Sequence, residues 1–336
     1  MTDLRTHAAR PGPVRIWLVG APALALGGIA VGGWLGPLGD GTGEDGRAGG
    51  GTVASADGRA AVADLLDLPW PEEGQASAEV DGLGRLGGTA GQRPLPIASL
   101  TKVMTAYVIL KEHPLADGEE GPAVTVDATA AQEAHSLSES TAPLREGQHL
   151  TQRRLLELLL LPSGNNVARL LARWDAGGQQ EFVAKMNRAA RDLGMNNTSY
   201  TGASGIEPTT RSTADDQLKL ARHAMKEPVL RTVVAMRSTT VPGAPAPVLN
   251  TNRLLDRPGV VGLKTGSSTP AGGALMWAAE VDADGDRRLV LGVVLGQRAG
   301  TSPAEGLEEA FEKSGALIEA VQKDLPAALG ERRDRS

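Results

Sequence analysis

No cysteine occurs among the 336 residues. Zinc-thiolate, iron–sulfur, disulfide and thiol-nucleophile chemistry are thereby excluded together. Aromatic residues are scarce, at 3% of the chain, so the core must be built from Leu, Val, Ala and Met. A block of like charge is also missing: 34 basic and 40 acidic residues are spread along the chain for a net charge of −6. With no basic stripe interleaved with aromatics, a nucleic-acid partner is not expected. The five histidines sit in polar settings, and His135 and His149 read as surface residues. No Gly-x-Ser-x-Gly is present, which argues against a Ser-His-Asp hydrolase. No internal repeat is found.

What is present begins with an uncharged run, Ile16 to Leu35, flanked by Trp17 and Trp34 and preceded by Arg5, Arg10 and Arg15. About 20 apolar residues suffice to cross a bilayer. The basic residues place 1–15 in the cytoplasm and the remainder outside. An uncleaved anchor over 16–35 is favoured over a cleaved signal, because the small-residue site at Ala23–Ala25 falls in the middle of the run. Residues 36–60 are Gly-rich and read as a flexible linker. "GTGEDG" (Gly41–Gly46) and "GLGRLG" (Gly82–Gly87) match the dinucleotide fingerprint in form only, since neither sits between a strand and a helix.

From 61 onward the patterning is that of a globular domain. "ASAEV" and "GRLGG" suggest a hairpin. Leu100 to Glu112 is apolar on nearly every face, as in a central buried helix. A helix is expected from Thr151 to Leu161, stopped by Pro162, and another from Asn166 to Trp174. "QQEFVAKMNRAARDLG" ends at Gly194 as a left-handed cap. "STADDQLKLARHAMKEP" is a further helix that stops before Pro228. "GVVGLKTG", "GGALMWAAEV" and "RRLVLGVVLG" read as antiparallel strands, the last two joined by a turn at Asp282–Asp286. A closing helix follows, opened by a capping box at Ser302–Glu305. Residues 326–336 are taken as a charged tail. Helices, then antiparallel strands, then a helix give the α+β class, a sheet sandwiched by helices.

Three short motifs carry the chemistry. Ser99 stands three residues before Lys102 at a helix start, so the amine reaches the hydroxyl. A serine hydroxyl needs a base, and burial or a second cation makes lysine one. Ser163 and Asn165 lie in the break between two helices. Lys264, Thr265 and Gly266 sit within a strand whose other residues are apolar, so Lys264 is expected to line a cavity, and Gly266 allows a ligand's backbone to approach. Each motif alone also fits a plain structural role, as a polar first turn, a helix cap and an edge-strand lysine.

In this order, Ser-x-x-Lys, Ser-x-Asn and Lys-Thr-Gly resemble the penicillin-recognising serine enzymes. Within them, "PIASLTKVMTAYV", "LLLLPSGNNVA", "FVAKMNRAARDLGMNNTSYTGASGI", "STADD" and "VVGLKTGSSTPAGGAL" resemble the S11 family of low-molecular-mass D-alanyl-D-alanine carboxypeptidases. The likeness spans about 61–297. It implies a β-lactamase/transpeptidase-like fold with a helical subdomain, and a catalytic peptidase domain over 61–325. It implies Ser99 as nucleophile, Lys102 as its base, and Ser163 as a bridge relaying a proton to the leaving amine. Asn165 would hold the substrate amide, and Lys264 and Thr265 the terminal carboxylate. The backbone N–H groups of Ser99 and Ser267 would form the oxyanion hole. The implied substrate is a peptidoglycan stem peptide ending in D-Ala-D-Ala, with β-lactams as covalent inhibitors and no cofactor or metal. The implied location is the cell membrane, single-pass, with the catalytic domain extracytoplasmic, or secretion if the signal is cleaved. Many relatives carry a further β-rich domain and a C-terminal amphipathic anchor, whereas here the residues after Lys264 are taken up by strands and one helix. Two alternatives share the motifs. A serine β-lactamase would use a water-activating glutamate, for which Glu207-Pro208 is the nearest candidate. A non-catalytic penicillin-binding sensor would tend to lose Lys102 or Asn165, and both are present.

Overall fold

The computed structural model describes Ala63 and residues 65–283 and 285–335. The expected cytoplasmic tail, anchor and linker lie outside the described residues. Among those described, no helix is long and apolar enough to cross a membrane.

Five strands form the main sheet: β1 (Gln75–Val80), β2 (Gly84–Gly88), β3 (Val260–Ser268), β4 (Gly272–Ala283) and β5 (Asp286–Gln297). Their spatial order is β2-β1-β5-β4-β3, and every pairing is antiparallel. The expected hairpin is β1–β2, and β4 pairs with β5 as expected, up to Ala283 with Asp286. Alternation along β4 sends Leu275, Trp277, Ala279 and Val281 to one face and Ala274, Met276 and Ala278 to the other. Both faces are covered, which is why these strands read as continuous apolar runs. Trp277 is fully buried because its cross-strand partner Gly292 has no side chain.

The helices are α1 (Thr101–Glu112), α2 (Ala128–Glu133), α3 (Gln152–Leu160), α4 (Asn165–Ala176), α5 (Gln179–Asp192), α6 (Ala214–Ala224), α7 (Pro228–Val234) and α8 (Pro303–Arg335). Residues of α1 and α3 through α7 share one apolar core with one sheet face, while α8 covers the opposite face with Phe311, Leu317, Ile318 and Val321. The helix α1 is central: Val103, Met104, Ala106, Val108, Ile109 and Leu110 are all buried.

Several ends follow the sequence rules. Thr151 and Thr213 cap α3 and α6 by accepting from Arg154 and Asp216 backbone N–H groups. Gly194 takes φ 69° after α5. The capping box forms as expected, with Ser302 N–H donating to Glu305 and Glu305 N–H to Ser302 Oγ. The helix α6 stops before Pro228 as expected, ending at Ala224, and that proline opens α7 as its first residue, where its missing N–H is harmless. One boundary differs. The separate tail expected at 326–336 is instead a continuation of α8, which runs through Pro326 to Arg335; Leu325 and Ala328, on either side of that proline, are still buried against the sheet.

Candidate active site

Ser99 occupies a 3-10 turn, Ala98–Leu100, that leads directly into α1. Ala98 carries φ 44°, a left-handed conformation rare for a residue with a Cβ, and Thr101 Oγ1 holds the turn by donating to the Ala98 carbonyl at 2.8 Å. At the second position of α1, Lys102 Nζ stands 2.8 Å from Ser99 Oγ and donates to the Ser204 carbonyl, also at 2.8 Å. Lys102 is fully buried while Ser99 is partly exposed. Burial pushes the lysine well below its usual value, and the charges of Lys264 and Arg169 push it further down. A neutral amine in that place turns its lone pair to the serine and accepts its proton.

Lys264 comes from β3, the outer strand of the sheet. Its register partner is Met276, which faces the helical core, so Lys264 emerges on the α1 side. It is 1% exposed, its Nζ donates to the Thr265 carbonyl at 2.8 Å, and burial alone lowers its titration to about 7. Near neutral pH the charge at Lys264 is therefore poised, and an arriving anion would stabilise it. Gly266, two residues on, shares that face and lies against the Ser99 backbone. Thr265 Oγ1 meets Thr251 Oγ1 at 2.7 Å, and Thr251 N–H donates to the Leu161 carbonyl at 3.0 Å. That chain of bonds ties β3 to the end of α3, just before Ser163.

Ser163 bridges α3 and α4 at φ 65°, again left-handed. Its hydroxyl is buried with no partner among the described groups. Asn165 opens α4, its backbone N–H donates to the Ser140 carbonyl at 2.8 Å, and its side-chain Nδ2 donates to Glu139 at 2.6 Å. Positive φ at the residue before Ser99 and at Ser163 itself places two strained backbone positions at two hydroxyls, a pattern typical of functional sites.

Of the eight residues singled out in the sequence, only Ser99 and Ser267 are more than marginally exposed; Lys102, Ser163, Asn165, Lys264, Thr265 and Gly266 are buried. Direct contacts join Ser99 to Lys102 and Ser99 to Gly266, and the charge of Lys264 acts on Lys102. Ser267 lies on the same outer strand, opposite Gly273. Sequence reading did not find Glu139, the Ser204 carbonyl or Thr251. Ser204 lies in "GASGI", a quoted segment, but nothing there singles out its carbonyl. Glu207, the residue weighed for a water-activating role, has one buried carboxylate oxygen without a partner and packs on Gly202; its charge weakly favours protonation of Lys102. A cavity of about 840 Å³ lies apart, beside β1, β2 and α6, but its Arg85–Asp215, Lys219–Asp216 and Arg222–Glu79 pairs satisfy one another.

Comparison with known proteins bears on the family and the fold. Residues 88–299 match the family model described as D-alanyl-D-alanine carboxypeptidase. The D-alanyl-D-alanine carboxypeptidase DacB2 of Mycobacterium tuberculosis is 36% identical over 207 residues, covering 60% of this chain and 67% of that protein. The Streptomyces K15 DD-transpeptidase structure superposes with a TM-score of 0.63 at 31% identity, over 76% of this chain and 100% of that one. Penicillin binding protein 6B from Escherichia coli gives 0.64 at 30% identity, over 77% and 81%.

Proposed function

Since the chain belongs to the D-alanyl-D-alanine carboxypeptidase family of serine peptidases, we propose that it removes the terminal D-Ala from peptidoglycan stem peptides through an acyl-enzyme on Ser99. The broader statement, a penicillin-binding serine peptidase acting on peptidoglycan, follows from the family and its structural neighbours. The observation that carries the finer reading is the buried Lys102 amine 2.8 Å from Ser99 Oγ.

In this reading neutral Lys102 takes the Ser99 proton as Oγ attacks the carbonyl carbon of the penultimate D-Ala. The oxyanion that forms lies at the backbone N–H groups of Ser99 and Ser267, at the start of α1 where the helix dipole favours negative charge. Collapse breaks the C–N bond, and a proton passes through Ser163 to the leaving amine, releasing D-Ala. Water then hydrolyses the Ser99 ester. Charged Lys264 with Thr265 holds the terminal carboxylate, and Asn165 the peptide group. The same ester formed from a penicillin, whose leaving amine stays tethered, accounts for covalent inhibition. Supported by the uncharged run 16–35 and the arginines before it, the reading also puts a membrane anchor there, with the catalytic part extracytoplasmic.

The test uses the full chain. A peptide ending in D-Ala-D-Ala should yield free D-Ala, and a penicillin should add its mass to the wild type and not to Ser99→Ala. No D-Ala with penicillin labelling intact would sink the carboxypeptidase reading in favour of a sensor. Adding an amine acceptor to the same assay separates hydrolysis from transpeptidation by the product's mass.

A further inference from the structure

Glu139, in the loop that follows α2, is gripped by two residues of one helix face. Asn165 and Arg169 stand four positions apart on α4, so their side chains emerge one above the other. Arg169 clasps the carboxylate with both terminal nitrogens, Nη2 to Oε1 at 2.6 Å and Nη1 to Oε2 at 3.1 Å, and Asn165 Nδ2 donates to Oε2 at 2.6 Å. The remaining Arg169 nitrogen, Nε, donates to Glu133 of α2 at 2.9 Å. The clasp is largely buried, with Arg169 15% and Glu139 12% exposed. Burial opposes ionisation of Glu139, but the bonds from Arg169 and Asn165 hold its carboxyl below the usual range, so it stays a carboxylate.

A carboxylate only accepts. The Asn165 amide must therefore turn its nitrogen to Glu139. Its oxygen, buried and without a partner among the described groups, and its second amide hydrogen are left for the cleft. A peptide group offers one donor and one acceptor, and an amide locked in one orientation meets both. An amide free to flip would offer the two in the wrong order part of the time.

We propose that Glu139, clamped by Arg169, is a positioning residue for the peptidase reaction: it locks the Asn165 amide in the orientation that meets the substrate's peptide group. This rests on the peptidase reading above. A second effect separates the role from simple loop support. Glu139 favours the charged form of Lys102 and Arg169 opposes it. Removing Glu139 takes away one of the two carboxylates, with Glu207, that favour the charged amine against Lys264 and Arg169, so the acidic limb of the rate profile moves to lower pH.

The experiment is a double-mutant cycle on the full chain, read by the rate of penicillin acylation and by D-Ala release. Glu139→Ala should lower kcat/KM by up to about 10²-fold, with an acidic limb at lower pH. Glu139→Ala/Asn165→Ala should be no slower than Asn165→Ala, to within about twofold, because positioning has no effect once the positioned residue is gone. Losses that multiply in the double variant, or a Glu139→Ala chain at the wild-type rate, overturn the role. If Glu139→Ala does not fold, the cycle run with Glu139→Gln, which keeps the volume and an acceptor, decides by the same criterion. A folded wild type inert to both probes overturns the peptidase reading itself.

Discussion

Gly266 lies against the backbone of Ser99: a methyl built on it would stand 2.9 Å from the Ser99 nitrogen and 3.2 Å from that of Leu100. Outer strand and nucleophile turn thus meet largely backbone to backbone, with the Leu100 side chain alongside. Backbone atoms cannot swing aside as a flexible side-chain end would. Gly266→Ala should push β3 away from Ser99, costing about 1–3 kcal/mol of stability by overpacking and up to about 10²-fold in acylation rate. Denaturant unfolding and acylation kinetics on one preparation measure both, and full activity would mean that strand and turn are not in register for catalysis.

The lowered titration of Lys264, to about 7, makes a pH signature. If its charge holds the substrate carboxylate, kcat/KM should fall as pH rises past about 7, while neutral Lys102 sets the acidic limb. In Lys264→Arg the charge persists, so the falling limb should disappear from the measurable range. Stability runs the other way. Above about 7 the folded chain releases this proton, while the unfolded chain keeps it up to the ordinary lysine range. Across that window the unfolded state binds more protons, so stability rises with pH, by at most about 1.4 kcal/mol per unit for this group. Urea midpoints from pH 6 to 9 check the sign.

Lys102→Met keeps the side-chain volume and removes the amine. Acylation by penicillin should fall about 10²- to 10⁴-fold, the usual contribution of a general base. Melting temperature should hold or rise, because a polar amine no longer has to be desolvated. Acylation at the wild-type rate would remove Lys102 from the mechanism.

At Ser163 two variants separate hydroxyl from backbone. Ser163→Ala keeps the strain of φ 65° and loses the buried hydroxyl; Ser163→Gly loses the hydroxyl and relieves the strain. Both should release D-Ala more slowly to a similar degree, but Ser163→Gly should be the more stable of the two, by up to about 1 kcal/mol. Unequal activities would show that backbone shape, and not the hydroxyl, is what position 163 supplies.

Much of this molecule is legible in its sequence, for local reasons. The helices carry caps and stops, the strands carry apolar runs bounded by glycine, and Ser99 and Lys102 are close enough in the chain to be placed on one helical turn. Glu139 was not legible: its partners Asn165 and Arg169 lie 26 and 30 residues away, and a glutamate between serines in a polar loop has no periodicity to betray it. The same holds for Arg173 with Asp127, one turn further along α4. Left-handed backbone at Ala98 and Ser163 was hidden because it is usually advertised by glycine, which neither position has. Continuation of α8 past Pro326 was missed because proline argues locally for an end, whereas burial of Leu325 and Ala328 decides it from across the fold.

Strand β1 is paired on both sides, to β2 nearby and to β5 through contacts such as Gln75 with Leu295. The middle of the sheet therefore joins the two ends of the described chain. Such long-range closure is entropically slow to form, and it sets an order of events on the ribosome. The nucleophile turn emerges early and finds its platform in β3, but β1 has no second partner until β5 arrives, so a product released before Gln297 would be left with two sheet fragments whose inner edges have nothing to join them.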